Sequence, residues 1–224
     1  MITSQYGVIF DLDGVLWDTS KIHEWAYQEM FDMFDIEVKF RYESIAGMST
    51  REAIKKLLLE NMLAINNPEI GELASVKQKL AHQRISKCMP IFNDTFYLLK
   101  GLKSEGISYS IASSTSAKNL RLFVNHLFEY DLAPENYLSG DEVIAAKPNP
   151  EIYMRSKKLM SSKASKFIVV EDSMNGIKAA LSAGCEVIGI CNSQNEIEEP
   201  EKLLDVTTNR VELLKKLIRY CHRV

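Results

Sequence analysis

Acidic, hydroxyl and ammonium side chains gather at four points of this 224-residue chain. Asp11 and Asp13 flank Leu12 just after an apolar run. Ser113 and Ser114 follow a second apolar run, and Glu171 and Asp172 follow a third. Lys147 opens the Pro-flanked stretch Lys147-Pro148-Asn149-Pro150. Each apolar run reads as a strand, and in an open parallel sheet ligands bind beyond the carboxyl ends of the strands. Asp11 and Asp172, brought to neighbouring strand ends, repel unless a cation lies between them. Carboxylate oxygens without a His or Cys cluster favour Mg2+. Lys147 and a serine hydroxyl then suit a phosphoryl group. One Asp can attack phosphorus while another shuttles a proton. The metal and Lys147 offset the charge on the transferred oxygens.

The elements that must position these groups alternate along the chain. Strands are predicted at 6–10, 107–112, 137–139, 167–170 and 186–190. Helices are predicted at 117–128, 150–160, 175–183 and 209–221. In the first of these helices Leu120, Phe123, Val124 and Leu127 recur at helical spacing. Gly184 stands where a helix C-terminus is commonly closed. The alternation predicts an α/β fold, a Rossmann-like parallel sheet wrapped by helices. No strand pattern occurs from about Ser20 to Met89. Residues 21–34, 50–63 and 69–88 read instead as amphipathic helices, with a break at Asn66-Asn67-Pro68. A structureless loop of that length is uncommon. The expected organisation is a discontinuous core of residues 1–19 and 90–224, interrupted by a helical cap of residues 20–89.

Thirty acidic against 27 basic residues give a net charge of −3. That balance does not suit a phosphate-backbone binder, so no nucleic-acid partner is expected. Hydrophobic residues at 46% and charged residues at 25% exclude a disordered or collagen-like chain. The opening MITSQYGVIFDLDG lacks the basic and long apolar regions of a secretory signal. No apolar stretch reaches the roughly 18 residues of a membrane span, so no membrane partner is expected. Cys88, Cys185, Cys191 and Cys221 form no C-x-x-C pair. Cys185 and Cys191 read as reduced thiols in or near a core, which points to a cytoplasmic setting.

The order and spacing of the four motifs resemble those of the haloacid dehalogenase (HAD) superfamily. Asp11-Leu12-Asp13-Gly14-Val15-Leu16-Trp17-Asp18-Thr19 is similar to its first motif and Ile111-Ala112-Ser113-Ser114 to its second. Lys147-Pro148-Asn149-Pro150-Glu151 resembles the third, and Val169-Val170-Glu171-Asp172-Ser173-Met174-Asn175-Gly176 the fourth. The inserted helices resemble the C1 cap of the β-phosphoglucomutase-like phosphatases. The resemblance implies that Asp11 is the nucleophile and forms an aspartyl phosphate. It implies that Asp13 protonates the leaving alcohol and then activates water. The implied Mg2+ ligands are the Asp11 and Asp172 side chains and the Asp13 backbone carbonyl, with Glu171 assisting from behind them. Ser113, Ser114 and Lys147 would hold the phosphate. The expected activity is Mg2+-dependent hydrolysis of a small phosphorylated metabolite, a sugar or polyol phosphate, by a monomer or weak dimer.

The cap stretch Ala46-Gly47-Met48-Ser49-Thr50-Arg51-Glu52 is similar to the family's substrate-specificity loop, with Gly47 and Arg51 as candidate substrate contacts. In the mutase of the family a lysine precedes that glycine and an arginine lies three residues after it. Ala46 and Thr50 occupy those positions here, and Arg51 follows one place later. A phosphosugar mutase, which needs a second phosphate site in the cap, is therefore the alternative. His23, near the cap hinge, matches a histidine of related enzymes. A non-catalytic binding module is a third reading, and the intact acidic set, Ser113 and Lys147 speak against it.

Overall fold

A strand in the middle of a parallel sheet must be apolar on both faces. β1 (Tyr6–Phe10) meets that demand, with Val8, Ile9 and Phe10 fully out of water. The computed structural model describes residues 6–63, 67–160, 164–191, 197 and 199–222. Its further strands are β2 (Tyr109–Ala112), β3 (Tyr137–Leu138), β4 (Lys166–Glu171), β5 (Glu186–Ile190) and β6 (Asp205–Thr207). All pair in parallel, in the order β3-β2-β1-β4-β5-β6. Phe10 lies opposite Ile111 of β2 and Val170 of β4. The three strands therefore end level, and Asp11, Ser113 and Asp172 leave from one edge. The chain order reverses about β1, and ligand crevices form at such switch points.

The helices are α1 (Ser20–Met33), α2 (Thr50–Glu60), α3 (Asn67–Cys88), α4 (Thr95–Ser104), α5 (Ala117–Glu129), α6 (Glu151–Leu159), α7 (Met174–Ser182) and α8 (Arg210–Cys221). Alternation along β1 decides what covers each face. Val8 and Phe10 pack with Leu98 and Leu102 of α4, Phe123 of α5 and Leu213 and Leu217 of α8. Ile9 packs with Ile152 and Tyr153 of α6 and Ile177 and Ala180 of α7. A third cluster belongs to the first three helices and the connection between α1 and α2, and includes Met30, Phe31, Val38, Ile45, Ile54, Leu57 and Leu73. The roots of α1 and α3 are different. Ile22, Ala26, Ala81 and Ile85 join the cluster under the sheet. No helix among the described residues is long and apolar enough to cross a membrane.

Several boundaries differ from the periodicity reading. β2 starts at Tyr109, because the Ile107 N–H returns to the Leu102 carbonyl and closes α4 instead of joining the ladder. α2 stops at Glu60. The Asn61 carboxamide donates to the Leu57 carbonyl and the Leu63 N–H turns back to Leu58, so the last turn closes on itself. The expected break at 66–68 falls where α3 begins, at Asn67, and Asn66 lies outside the described residues. α4 and β6 have no counterpart in the sequence expectation. The four cysteines are free, with Cys185 and Cys221 buried and Cys88 exposed.

Candidate active site

Beyond β1 the chain makes a tight turn. The Leu12 carbonyl accepts the N–H groups of Val15, Leu16 and Trp17, and the Gly14 N–H donates to the Trp17 carbonyl at 2.7 Å. Gly14 has φ of +85° and lies directly against Asp172, whose carboxylate any Cβ at this position would overlap. Conformation and close approach both require a glycine here. Among the described residues no donor reaches the Asp13 carbonyl.

Lys147 stands behind Asp11. Its ammonium donates to Asp11 Oδ1 at 2.6 Å, Glu171 Oε1 at 2.7 Å and the Tyr153 hydroxyl at 2.8 Å, with the Ala112 carbonyl at 3.3 Å. Tyr153 donates in turn to Glu171 Oε1 at 2.7 Å. Burial opposes the Lys147 charge, but Asp11 and Glu171 outweigh it and hold the pKa above the usual lysine range. Glu171 is fully buried, yet Lys147, Tyr153 and the Ser173 N–H keep it below the ordinary carboxylate range despite that burial. Asp11 and Asp172 go the other way. Burial raises both against the pull of Lys147, and Glu171 and Asp13 add to it at each, as Asp11 does at Asp172. One oxygen each from Asp11, Glu171 and Asp172 lies within 4.8 Å of the others. Two carboxylates that resist ionising together, beside an unpartnered carbonyl, are hard oxygen donors suited to a divalent cation.

Asp13 faces away from that cluster. Its Oδ1 accepts from the Thr19 hydroxyl at 2.5 Å and lies 3.3 Å from His23 Nε2, and its Oδ2 accepts from Ser113 Oγ at 3.3 Å. The Lys77 ammonium, on α3, lies 3.1 Å from His23 Nδ1 and 4.3 Å above the Tyr27 ring. A lysine can only donate, so Nδ1 accepts and the Nε2–H is left to donate to Asp13. Burial and Lys77 push the His23 pKa down, against the pull of Asp13. Burial also works against the Asp13 charge, but donation from His23 and Thr19 outweighs it, and Asp13 lies below the usual range.

These groups open onto a cleft between the sheet edge and the first three helices, about 710 Å³ with its mouth included. Asp11, Asp13, Asp172, Ser113, Ser114, His23 and Gly47 all line it, whereas Lys147 and Glu171 lie behind its wall. Ser114 Oγ donates to the Gly47 carbonyl at 2.8 Å, so its hydroxyl ties the loop of residues 46–48 to the end of β2. Arg51 is not brought in. Ser49 caps α2, accepting the Glu52 N–H, and Arg51 is exposed with its guanidinium over Gly71 of α3. Lys77, Tyr153 and Asn119 are site or supporting residues that the sequence did not single out. Asn119 lines the cleft and is fixed by His82 Nδ1 at 2.7 Å. Trp17 is buried edge-on against Phe123, and neither it nor Trp25 lines the cleft.

The family model for haloacid dehalogenase-like hydrolases matches residues 8–190. A phosphorylated carbohydrates phosphatase of Thermotoga maritima is 28% identical over 216 residues, covering 89% of this chain and 96% of the relative. A beta-phosphoglucomutase of Bacillus subtilis is 30% identical over 200 residues, covering 84% of each chain. Among solved structures, CbbY from Rhodobacter sphaeroides in complex with phosphate superposes with a TM-score of 0.78 at 22% identity, covering 94% of this chain and 96% of that one.

Proposed function

Because the chain belongs to the haloacid dehalogenase-like hydrolase family, we propose that it is a Mg2+-dependent phosphatase of a small phosphorylated sugar or polyol, working through an aspartyl phosphate. The observation that carries this reading is the separation of two carboxylates only two residues apart. Asp11 lies among Lys147, Glu171 and Asp172, and Asp13 among Thr19, His23 and Ser113. Two acids in opposed environments are the arrangement that divides nucleophile from acid–base catalyst.

In this reading Asp11 attacks phosphorus, and the bond to the leaving alkoxide breaks. Mg2+ on the Asp11 and Asp172 side chains and the Asp13 carbonyl would draw charge from the phosphoryl oxygens. A phosphoryl oxygen replaces one of the four acceptors around Lys147. The dianionic substrate raises the Asp13 pKa, favouring the protonated acid that the leaving alkoxide needs. The ionised Asp13 then takes a proton from the water that attacks the aspartyl phosphate. Residues 20–89 act as a cap on a core of residues 1–19 and 90–224, closing the cleft against water. Free thiols support a cytoplasmic setting.

Hydrolysis is favoured over the mutase alternative by the cap wall. Ala46 and Thr50 stand where the mutase carries its cations, Arg51 lies outside the cleft, and Lys77 is engaged with His23. The test is hydrolysis of p-nitrophenyl phosphate with Mg2+, followed by a panel of sugar and polyol phosphates. Turnover is expected to fall to background with a chelator and in Asp11→Asn. Retained turnover in Asp11→Asn overturns the nucleophile assignment. Glucose 6-phosphate from β-glucose 1-phosphate and a bisphosphate primer, in place of free phosphate, would establish the mutase instead.

A further inference from the structure

The turn after β1 accounts for nearly all of its carbonyls. Leu12 takes three N–H groups, and Trp17 takes the Gly14 N–H. Leu16 takes the Thr95 hydroxyl at 2.9 Å and the Phe92 N–H at 3.4 Å. The Gly14 and Val15 carbonyls are taken by one side chain from the far end of the sequence. Arg210 Nε donates to Val15 at 2.6 Å, and Nη2 donates to Gly14 at 3.1 Å. From Leu12 to Trp17, only the Asp13 carbonyl is reached by no described residue.

We propose that Arg210, the first residue of α8, is a positioning residue for the active-site turn, fixing it so that the Asp13 carbonyl stays free for a divalent cation. This rests on the reading that a cation binds between Asp11 and Asp172.

Arg210 is itself held on every side. It is buried, its guanidinium lies 3.4 Å from the centroid of the Phe92 ring, and Nη1 is 3.7 Å from Asp94 Oδ1. Asp94 Oδ2 also accepts the Arg210 backbone N–H at 3.1 Å, so side chain and helix start are anchored together. Burial pulls its pKa down to about 10, against the pull of Asp94, Asp172 and Asp18. A buried charge is costly, and an apolar side chain of similar length would fill the space more cheaply. The guanidinium adds two donors in a rigid fork that match two consecutive carbonyls. Gly14 is the residue at which a Cβ would overlap the Asp172 carboxylate. A shift of this turn therefore disturbs the Asp13 carbonyl and Asp172 together. α8 lies outside residues 8–190 that the family model matches.

The test compares the full-length wild type with Arg210→Met and Arg210→Lys. Mn2+ binding is read by electron paramagnetic resonance, together with melting temperature and kcat and KM for p-nitrophenyl phosphate at saturating Mg2+. Arg210→Met is expected to weaken Mn2+ binding about tenfold or more, to lower kcat by a similar factor and to leave KM within about twofold. Arg210→Lys keeps the charge without the fork and is expected to fall between. Should Arg210→Met fail to fold, Arg210→Lys and Phe92→Leu carry the comparison. Wild-type affinity in the folded variants overturns the role of Arg210. A wild type that binds no Mn2+ overturns the cation reading itself, and this inference with it.

Discussion

Asp11 and Asp13 differ by two positions and by almost everything that surrounds them. The difference at Asp13 comes from α1 and α3: Lys77 donates to His23 and thereby turns the other ring nitrogen toward Asp13. Lys77 has a consequence for stability. Burial pushes its pKa from 10.5 down to about 8, with Asp13 pulling the other way. Between those pH values the unfolded chain holds a proton that the folded chain has released, so stability rises with pH across that window. Below about pH 8 both states carry the proton and the slope vanishes. The stability of the wild type relative to Lys77→Met is therefore expected to grow from about pH 8 to 10.5, measured by denaturant unfolding at several pH values. A flat difference would show that Lys77 keeps its proton when folded. The acids and Ser113 were legible because each follows a strand end in a short contiguous motif, and Lys147 because it opens a Pro-flanked stretch. Lys77, Tyr153 and Arg210 were not. They lie in helices among other charged and aromatic residues, and only tertiary packing sends them to the site.

At the scale of elements, level strand ends do most of the placing, and the register of β1 against β2 and β4 is what levels them. The strands flanked by turn residues were readable from their apolar runs. α4 and β6 were not, the first because Gly101 interrupts a short helix where Leu214 of α8 packs against it, the second because it is three residues long. The loop of residues 46–48 closes the cleft through three contacts. Ser114 donates to the Gly47 carbonyl, Asn175 donates to the Ala46 carbonyl at 2.9 Å, and Gly47 approaches Ser173 so closely that a Cβ would lie 2.5 Å from its hydroxyl. Gly47 also has φ of +76°. Gly47→Val meets both obstacles, at a cost of about 1–3 kcal/mol. The docked loop is then less populated by about tenfold or more. A rise in KM of that order with an unchanged melting temperature is the expected result. An unchanged KM would mean that turnover does not need this loop in place.

The molecule as a whole buries two bodies of apolar side chains with different dependents. The clusters on either face of the sheet hold the strand ends in register, and the third cluster holds α1, α2 and the outer part of α3. The roots of α1 and α3 belong to the sheet, so the catalytic neighbours Thr19 and His23 are anchored where the helices are least free to move. The remainder of the cap rests on its own core. Leu57 of α2 is fully buried in that third cluster alone. Leu57→Ala removes apolar contacts and leaves a cavity, costing about 2–5 kcal/mol. If residues 20–89 form a unit able to open by itself, that loss is local. Amides of α2 and of the outer turns of α1 and α3 then exchange faster, by about thirtyfold at the lower end of that range, while those of β1 and β4 keep their protection. Hydrogen exchange on wild type and Leu57→Ala separates the cases. Equal acceleration in β1 and β4 would make the chain one cooperative unit, and closing of the cleft would then have to come from the loop of residues 46–48 and not from a moving cap.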